Sequence, residues 1–228
     1  MPALEFVLVR HGQSEGNRDR VFTGHGPARL TSLGVAQAEA VAERLTRGET
    51  PLRAIYVSDL ARALETAAPL ARRLNLTPIV TPDLRERGVG ELTGLTFAEA
   101  EVRYPEVWRA LFQRDVDYCP PGGESLRMCS ARLDRFVDGV IESASGEGDA
   151  GGRVVVVSHG VAIDRLLRRF LGIVDGPRLA CLFHVDNCSI HRVERRDDGL
   201  TRVVCLNDIG HLAGLESTAD ARTATPRE

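Results

Sequence analysis

The chain has no lysine: all 29 of its basic residues are arginine, among 228 residues in total. A codon bias is the plain cause, but the absence still excludes a lysine-based phosphate loop, a Schiff-base lysine and a lysine general base. No apolar run approaches the length of a membrane span, and the first residues lack the charged-then-apolar layout of a signal peptide. The five cysteines, Cys119, Cys129, Cys181, Cys188 and Cys205, are odd in number and form no CxxC pair. That pattern argues against a disulfide frame or a zinc site, and for reduced thiols in a cytoplasmic protein with no bound metal. A net charge of -3 gives no electrostatic basis for nucleic acid or an anionic membrane as partner. Internal repeats and low-complexity tracts are missing as well.

The composition is 43% hydrophobic and 27% charged, enough for one sizeable core and marginal for two domains. Two short, β-branched, uncharged runs, residues 6–9 and 154–157, read as buried strands of a parallel sheet. Each ends on a histidine followed by glycine, Arg10-His11-Gly12 and Ser158-His159-Gly160, at the strand edge where open α/β sheets hold ligands. Between them strand and helix signals alternate. Thr31 or Ser32 caps a helix reaching about residue 47, with Val35, Ala38, Val41, Ala42 and Leu45 on one face. Residues 54–57 form a strand, 60–74 a helix and 78–80 a short strand. A helix over 126–143 leads into a Gly/Ser loop at 144–152, and a helix over 161–171 follows the second histidine. Residues 190–195 and 202–206 form a hairpin around Asp197-Asp198-Gly199. This alternation predicts an α/β fold, a three-layer α/β/α sandwich with a mostly parallel sheet and some antiparallel edge. Residues 88–125 break the rhythm and read as a small cap inserted into a single domain spanning residues 1–211. Residues 212–228 are expected to be a mobile tail.

The segment from Arg10 to Asn17 gathers a guanidinium, an imidazole, a flexible turn and small hydrogen-bonding side chains within eight residues. That is the mixture a phosphoryl group needs. Arg62 falls in the first turn of the helix after the second strand, where a cation is electrostatically misplaced unless an anion compensates it. Pairing with a local carboxylate such as Asp59 is the plain alternative. A glutamate in the glycine-rich turn at 84–94 suits a general acid, and Glu86, Glu91 and Glu124 all compete for that role.

The ordered set RHGxSxxN at 10–17, Phe22-Thr23-Gly24, SxLxRAxET at 58–66, ExxxGxLxG at 86–94, PGGES at 121–125 and SHG at 158–160 resembles the histidine phosphatase family. That family comprises the cofactor-dependent phosphoglycerate mutases and their phosphatase relatives. The resemblance runs from about residue 4 to residue 211. It implies His11 as the nucleophile that becomes a phosphohistidine, with Arg10, Arg62 and His159 gripping the phosphoryl oxygens. Glu86 would be the proton donor, and Gly12, Ser14, Asn17, Thr23, Gly24 and Gly160 would line the pocket. Neither a metal nor a cofactor is implied. The expected partner is a small phosphate ester, with a homodimer left open. His25 lies near the pocket loop, His184 and His191 read as structural, and His211 has no role the sequence supplies.

Within the resemblance, a mutase carries a tyrosine three residues past the acid glutamate, a lysine and extra arginines for the substrate carboxylate, and a longer insertion. Here that position is Val89, lysine is missing and the cap is short. The chain is therefore expected to be a phosphomonoester hydrolase. The alternatives are a phosphoglycerate mutase, which Phe22-Thr23-Gly24 recommends, and an idle phosphate-ester binder, against which the complete residue set argues. Trp108 and Phe112 are expected to pack the cap, and Arg103, Arg109 and Arg114 to form a solvated face.

Overall fold

Leu4–Arg10 (β1) is buried at all seven positions, and Gly152–Ser158 (β4) at all but its first. A strand with no solvent face needs apolar side chains on both sides, which explains the uninterrupted hydrophobic runs. The computed structural model describes residues 4–47, 52–145, 152–196 and 198–215. In it β1 and β4 pair in parallel along their whole length, from Leu4 opposite Gly152 to Arg10 opposite Ser158. Leu52–Ser58 (β2) and Ile79–Thr81 (β3) extend the parallel sheet on the β4 side. Ile190–Arg195 (β5) and Thr201–Asp208 (β6) add antiparallel strands beside β1. The six strands lie in the order β3-β2-β4-β1-β5-β6.

Alternate side chains of each central strand feed two separate cores. Phe6, Leu8, Val154 and Val156 pack against Leu126–Ser145 (α6) and Gly160–Leu171 (α7). Val7, Val9, Ile55, Val57, Val155 and Val157 pack against Ser32–Thr46 (α2) and Ala61–Leu74 (α3) on the other face. The three-layer sandwich is therefore as the sequence predicts. Helix α2, after β1, and helix α7, after β4, cover opposite faces, so the crevice between these neighbouring strands is a topological switch point.

Several expectations are refined. Val35 is 52% exposed; the inward face of α2 begins one residue earlier, at Gly34. There a Cβ would stand 2.1 Å from the Gln13 carbonyl oxygen, so glycine is what lets the helix pack on the loop after β1. The cap contains two helices that periodicity alone does not reveal, Phe97–Arg103 (α4) and Pro105–Phe112 (α5). Trp108 fills the cap's own core, 4.6 Å from Phe112 and 5.9 Å from both Phe22 and Phe97 between ring centroids. Arg103, Arg109 and Arg114 are exposed. A tail starting at 212 begins too early, because Leu212 packs on the α2/α3 core. The rest of that tail from residue 216, most of the Gly/Ser loop and Asp197 lie outside the described residues.

His191, on β5, is fully buried, and burial pushes its imidazole down to about 4 from an ordinary 6.5. Its Nδ1 accepts from the Asn207 N–H at 3.1 Å, which suits the neutral ring only. The folded state thus disfavours a proton that the unfolded chain takes up near pH 6.5. Its contribution to stability is complete above pH 6.5 and is lost as the pH falls toward 4. In denaturant titrations at pH 7 and pH 5, wild type should lose more unfolding free energy than His191→Gln, by roughly 1 to 2 kcal/mol. An equal loss in both proteins would remove His191 from the account.

Candidate active site

The register of β1 and β4 brings the two histidines together. The His11 N–H donates to the Ser158 carbonyl at 2.9 Å, and the His11 and His159 rings stand 5.1 Å apart between centroids. Both are buried, as are Arg10 and Arg62. His11 Nδ1 is 2.7 Å from the Gly12 carbonyl oxygen. A carbonyl only accepts, so Nδ1 carries the proton and the lone pair is on Nε2. Burial pushes the His11 imidazole well below its ordinary range, and the positive charges of Arg62, His159 and Arg10 push in the same direction. The ring is neutral at neutral pH, with a lone pair on Nε2.

Each arginine is held by backbone oxygens. Arg10 Nη1 donates to the Val185 carbonyl at 2.6 Å. Arg62 Nη2 donates to Gly24 O at 2.8 Å, and its Nη1 to Gly26 O at 3.3 Å. The local alternative for Arg62 fails, since Asp59 is taken by a bidentate pair with Arg85 at 2.7 and 2.5 Å. Gly24 sits at φ +44°, and a Cβ there would meet Val89 Cγ2 at 2.8 Å. Thr23 packs its methyl into the space that Gly16 leaves open. His159 caps α7 and contacts Ser58 Oγ at 2.8 Å, and Gly160 begins that helix.

The structure separates the three glutamates. The Glu86 carboxylate accepts from the backbone N–H groups of Arg87 at 2.9 Å and of Val161 and Ala162 at 3.3 Å. It therefore rests on the N-terminus of α7, immediately after His159. Glu124 is instead committed to Arg132 and the Gly88 N–H, and Glu91 faces solvent. The Glu86 main chain is fixed as well, its carbonyl accepting from His25 Nε2 at 2.7 Å and Arg132 Nη2 at 2.9 Å.

Ser14 and Asn17 form a reciprocal capping box on Glu15–Arg18 (α1). Gly12 has a packing reason as well. The space a Cβ would take lies 2.5 Å from the Gly34 carbonyl oxygen, so the glycine admits α2, and its own N–H donates to Thr66 Oγ1 at 3.0 Å. Ser58, Thr66, Arg132 and Asn187 escaped the sequence reading; only Ser58 and Thr66 lie inside a recognised motif. His184 is exposed and pairs with Asp186, while His211 Nε2 bonds the Cys188 carbonyl. Among the described residues, no group of three or more His, Cys, Asp or Glu side chains is placed to hold a metal ion.

Two buried imidazoles and two buried guanidiniums thus stand around one crevice, with a carboxylate beside it. The family model of the histidine phosphatase superfamily (branch 1) matches residues 6–209, and the chain belongs to that superfamily. It is 38% identical over 90% of its length to the bifunctional protein Rv2228c of Mycobacterium tuberculosis, but spans only 54% of that protein. To the metal-independent phosphoserine phosphatase of Arabidopsis thaliana it is 34% identical, over 92% of this chain and 84% of that one. A 2,3-bisphosphoglycerate-dependent phosphoglycerate mutase of Methylobacterium radiotolerans is 38% identical over 75% of this chain and 78% of its own. Among solved structures, mycobacterial glucosyl-3-phosphoglycerate phosphatase Rv2419c superposes with a TM-score of 0.77 at 29% identity, covering 90% and 99% of the two chains.

Replacing Gly34 by alanine drives a Cβ into the Gln13 backbone two residues from His11. Gly34→Ala should lower stability by about 1–3 kcal/mol through overpacking and cut turnover at least tenfold. Melting temperature and steady-state rates on the same preparation check both.

Proposed function

We propose that the chain is a metal-independent phosphomonoester hydrolase that works through a phosphohistidine on His11. The observation that carries this reading is the neutral His11, its Nε2 lone pair set free by the Nδ1 hydrogen bond and surrounded by Arg10, Arg62 and His159. In the first step Nε2 attacks phosphorus in line and the ester P–O bond breaks. Arg10, Arg62 and His159 hold the equatorial oxygens, where the charge of a loose transition state accumulates. Glu86 gives its proton to the leaving oxygen. In the second step Glu86 takes a proton from water, the water oxygen attacks phosphorus, and the P–N bond breaks to release inorganic phosphate. Gly12, Ser14, Asn17, Thr23, Gly24 and Gly160 form the walls around the transferred group.

The substrate class is a small phosphorylated metabolite. Relatives named for phosphoserine and for glucosyl-3-phosphoglycerate support it, and a net charge of -3 gives no electrostatic basis for nucleic acid. Five free cysteines fit a cytoplasmic location, and no described helix is long and apolar enough to cross a membrane. A homodimer would use the edge strand β6, where Val203, Val204 and Leu206 are exposed.

Mutase activity is the second reading, favoured by the bisphosphoglycerate-dependent relative. Against it stand the missing lysine and Val89, whose methyl packs on Gly24 where a mutase would present tyrosine. Phosphate release from a panel of monoesters, run beside 3-phosphoglycerate with 2,3-bisphosphoglycerate, decides between them. Release without isomerisation supports the hydrolase; efficient isomerisation overturns it.

Four further results are expected. His11→Ala should abolish turnover of p-nitrophenyl phosphate, and excess chelator should leave the wild-type rate unchanged. Glu86→Gln should lose more on an alkyl phosphate than on the nitrophenyl ester by about 10²-fold, since only the poor leaving group needs its proton. Equal losses would remove Glu86 from that role. Protonation of His11 disables it, and its lowered range keeps it neutral well into acid. The acid limb of kcat/KM, corrected for the ester's own ionisation, should therefore fall below pH 6.5.

A further inference from the structure

The chemistry above leaves two pieces of sequence unused, residues 185–191 and the run Asn207-Asp208-Ile209-Gly210-His211-Leu212. The fold joins them directly behind the nucleophile. The Ser189 N–H donates to the Asp186 carbonyl at 3.1 Å, closing a turn in which buried Cys188 sits at φ +55°. A non-glycine residue in the left-handed region persists only where its surroundings over-determine it. Here they do. His211 Nε2 donates to the Cys188 carbonyl at 3.0 Å. The Asp186 N–H donates to Asn207 Oδ1 at 2.9 Å, and Asn207 Nδ2 returns a bond to Asp186 Oδ2 at 2.8 Å.

The other side of this turn faces the end of β1. The Cys188 N–H donates to the carbonyls of Arg10 at 3.0 Å and His11 at 3.3 Å. Asn187 is buried, and its Nδ2 donates both to the His11 carbonyl at 2.9 Å and to Asn17 Oδ1 at 3.1 Å. Asn17 Oδ1 also accepts from Ser14 N at 3.1 Å and Ser14 Oγ at 3.0 Å. With three donors on its oxygen, the Asn17 amide has one orientation, and its NH₂ group is the half left for a phosphoryl oxygen.

We propose that Asn187 is a positioning residue of the reaction, tying the backbone of His11 to the amide of Asn17, and that Asn207 and His211 brace the turn that carries it. The inference rests on the reading of His11 as nucleophile and adds a role for residues that touch neither substrate nor reacting atoms. It makes a separable prediction. A misplaced nucleophile and a freed Asn17 amide slow the chemical step, while the arginine grip on the phosphoryl group stays.

The test is p-nitrophenyl phosphate turnover by wild type, His11→Ala, Asn187→Ala, Asn17→Ala, the double variant Asn17→Ala/Asn187→Ala, and Asn207→Gly, with circular dichroism to confirm folding. Asn187→Ala should lower kcat by about 30-fold, the scale expected of a sub-ångström misplacement, with KM within about threefold. Because Asn187 acts partly through Asn17, the double variant should fall well short of the product of the two single losses. Asn207→Gly tolerates the positive φ of that position (+51°) and removes only the clamp, so it should lose kcat by about fivefold at unchanged KM, a part of the same misplacement. A kcat within twofold of wild type for folded Asn187→Ala, a loss confined to KM, or a fully multiplicative double variant overturns the proposal. Should Asn187→Ala fail to fold, an Asn207→Gly enzyme with wild-type kcat does so in its place. His11→Ala separates the two readings. If it is inactive while Asn187→Ala is normal, only the positioning role falls; if it is active, the nucleophile falls and the positioning role with it.

Discussion

Everything at this site depends on β1 and β4 being parallel neighbours in the middle of the sheet, paired so that Arg10 lies opposite Ser158. Parallel strands end at the same edge, so the residues that follow them, His11 and His159, emerge side by side from opposite halves of the chain. Because α2 and α7 then leave to opposite faces, no helix closes the crevice between them. A shift of one residue in this register would turn every core side chain of a strand to the wrong face. The alternating core contacts of Val7 and Val9 on one side, and Phe6 and Leu8 on the other, fix the register. The geometry of this edge is thus specified by ordinary hydrophobic burial along the strands.

The electrostatics follow from where that edge lies. Arg10 and Arg62 are buried at 0% and 1% exposure, a situation that costs several kcal/mol per charge unless polar groups surround it. Backbone oxygens of Val185, Gly24 and Gly26 supply part of that environment. Burial of the same edge is the main reason that the His11 imidazole is held well below its ordinary range, with Arg62, His159 and Arg10 acting in the same direction. The nearest acidic candidate at the start of α3, Asp59, is drawn away by Arg85.

How much of this was legible in the chain follows the same physics. Strands buried on both faces announce themselves as continuous apolar runs, so the sheet and its two histidines could be read directly. Arg62 was legible because a cation at a helix start conflicts with the local field. Spacing alone did not separate Glu86 from Glu91 and Glu124, and only the family resemblance chose it, because its place at the N-terminus of α7 depends on residues some 75 positions away. The cap helices were missed although Thr96 and Glu99 form a capping box and Pro105 opens α5. Those local signals were present, but a seven-residue helix carries too little periodicity to stand out. The Gly34 backbone also requires glycine at position 12, because a Cβ there would stand 2.5 Å from the Gly34 carbonyl oxygen. Close approaches between backbones leave no pattern in the sequence.

The antiparallel edge of the sheet has a reason of the same kind. A further parallel strand beside β1 would start at the opposite edge of the sheet and bring its preceding loop there. An antiparallel strand starts where β1 ends: Ile190 pairs with Val9, so the residues just before it, 185–189, lie against Arg10 and His11. From that place Val185 grips the Arg10 guanidinium, Cys188 receives the end of β1, and Asn187 reaches across to Asn17. The strand β6 then returns Asn207 and His211 to the back of the same segment. The β5–β6 hairpin is thereby part of the support for a crevice whose buried histidines and arginines, His11, His159, Arg10 and Arg62, all come from residues before it.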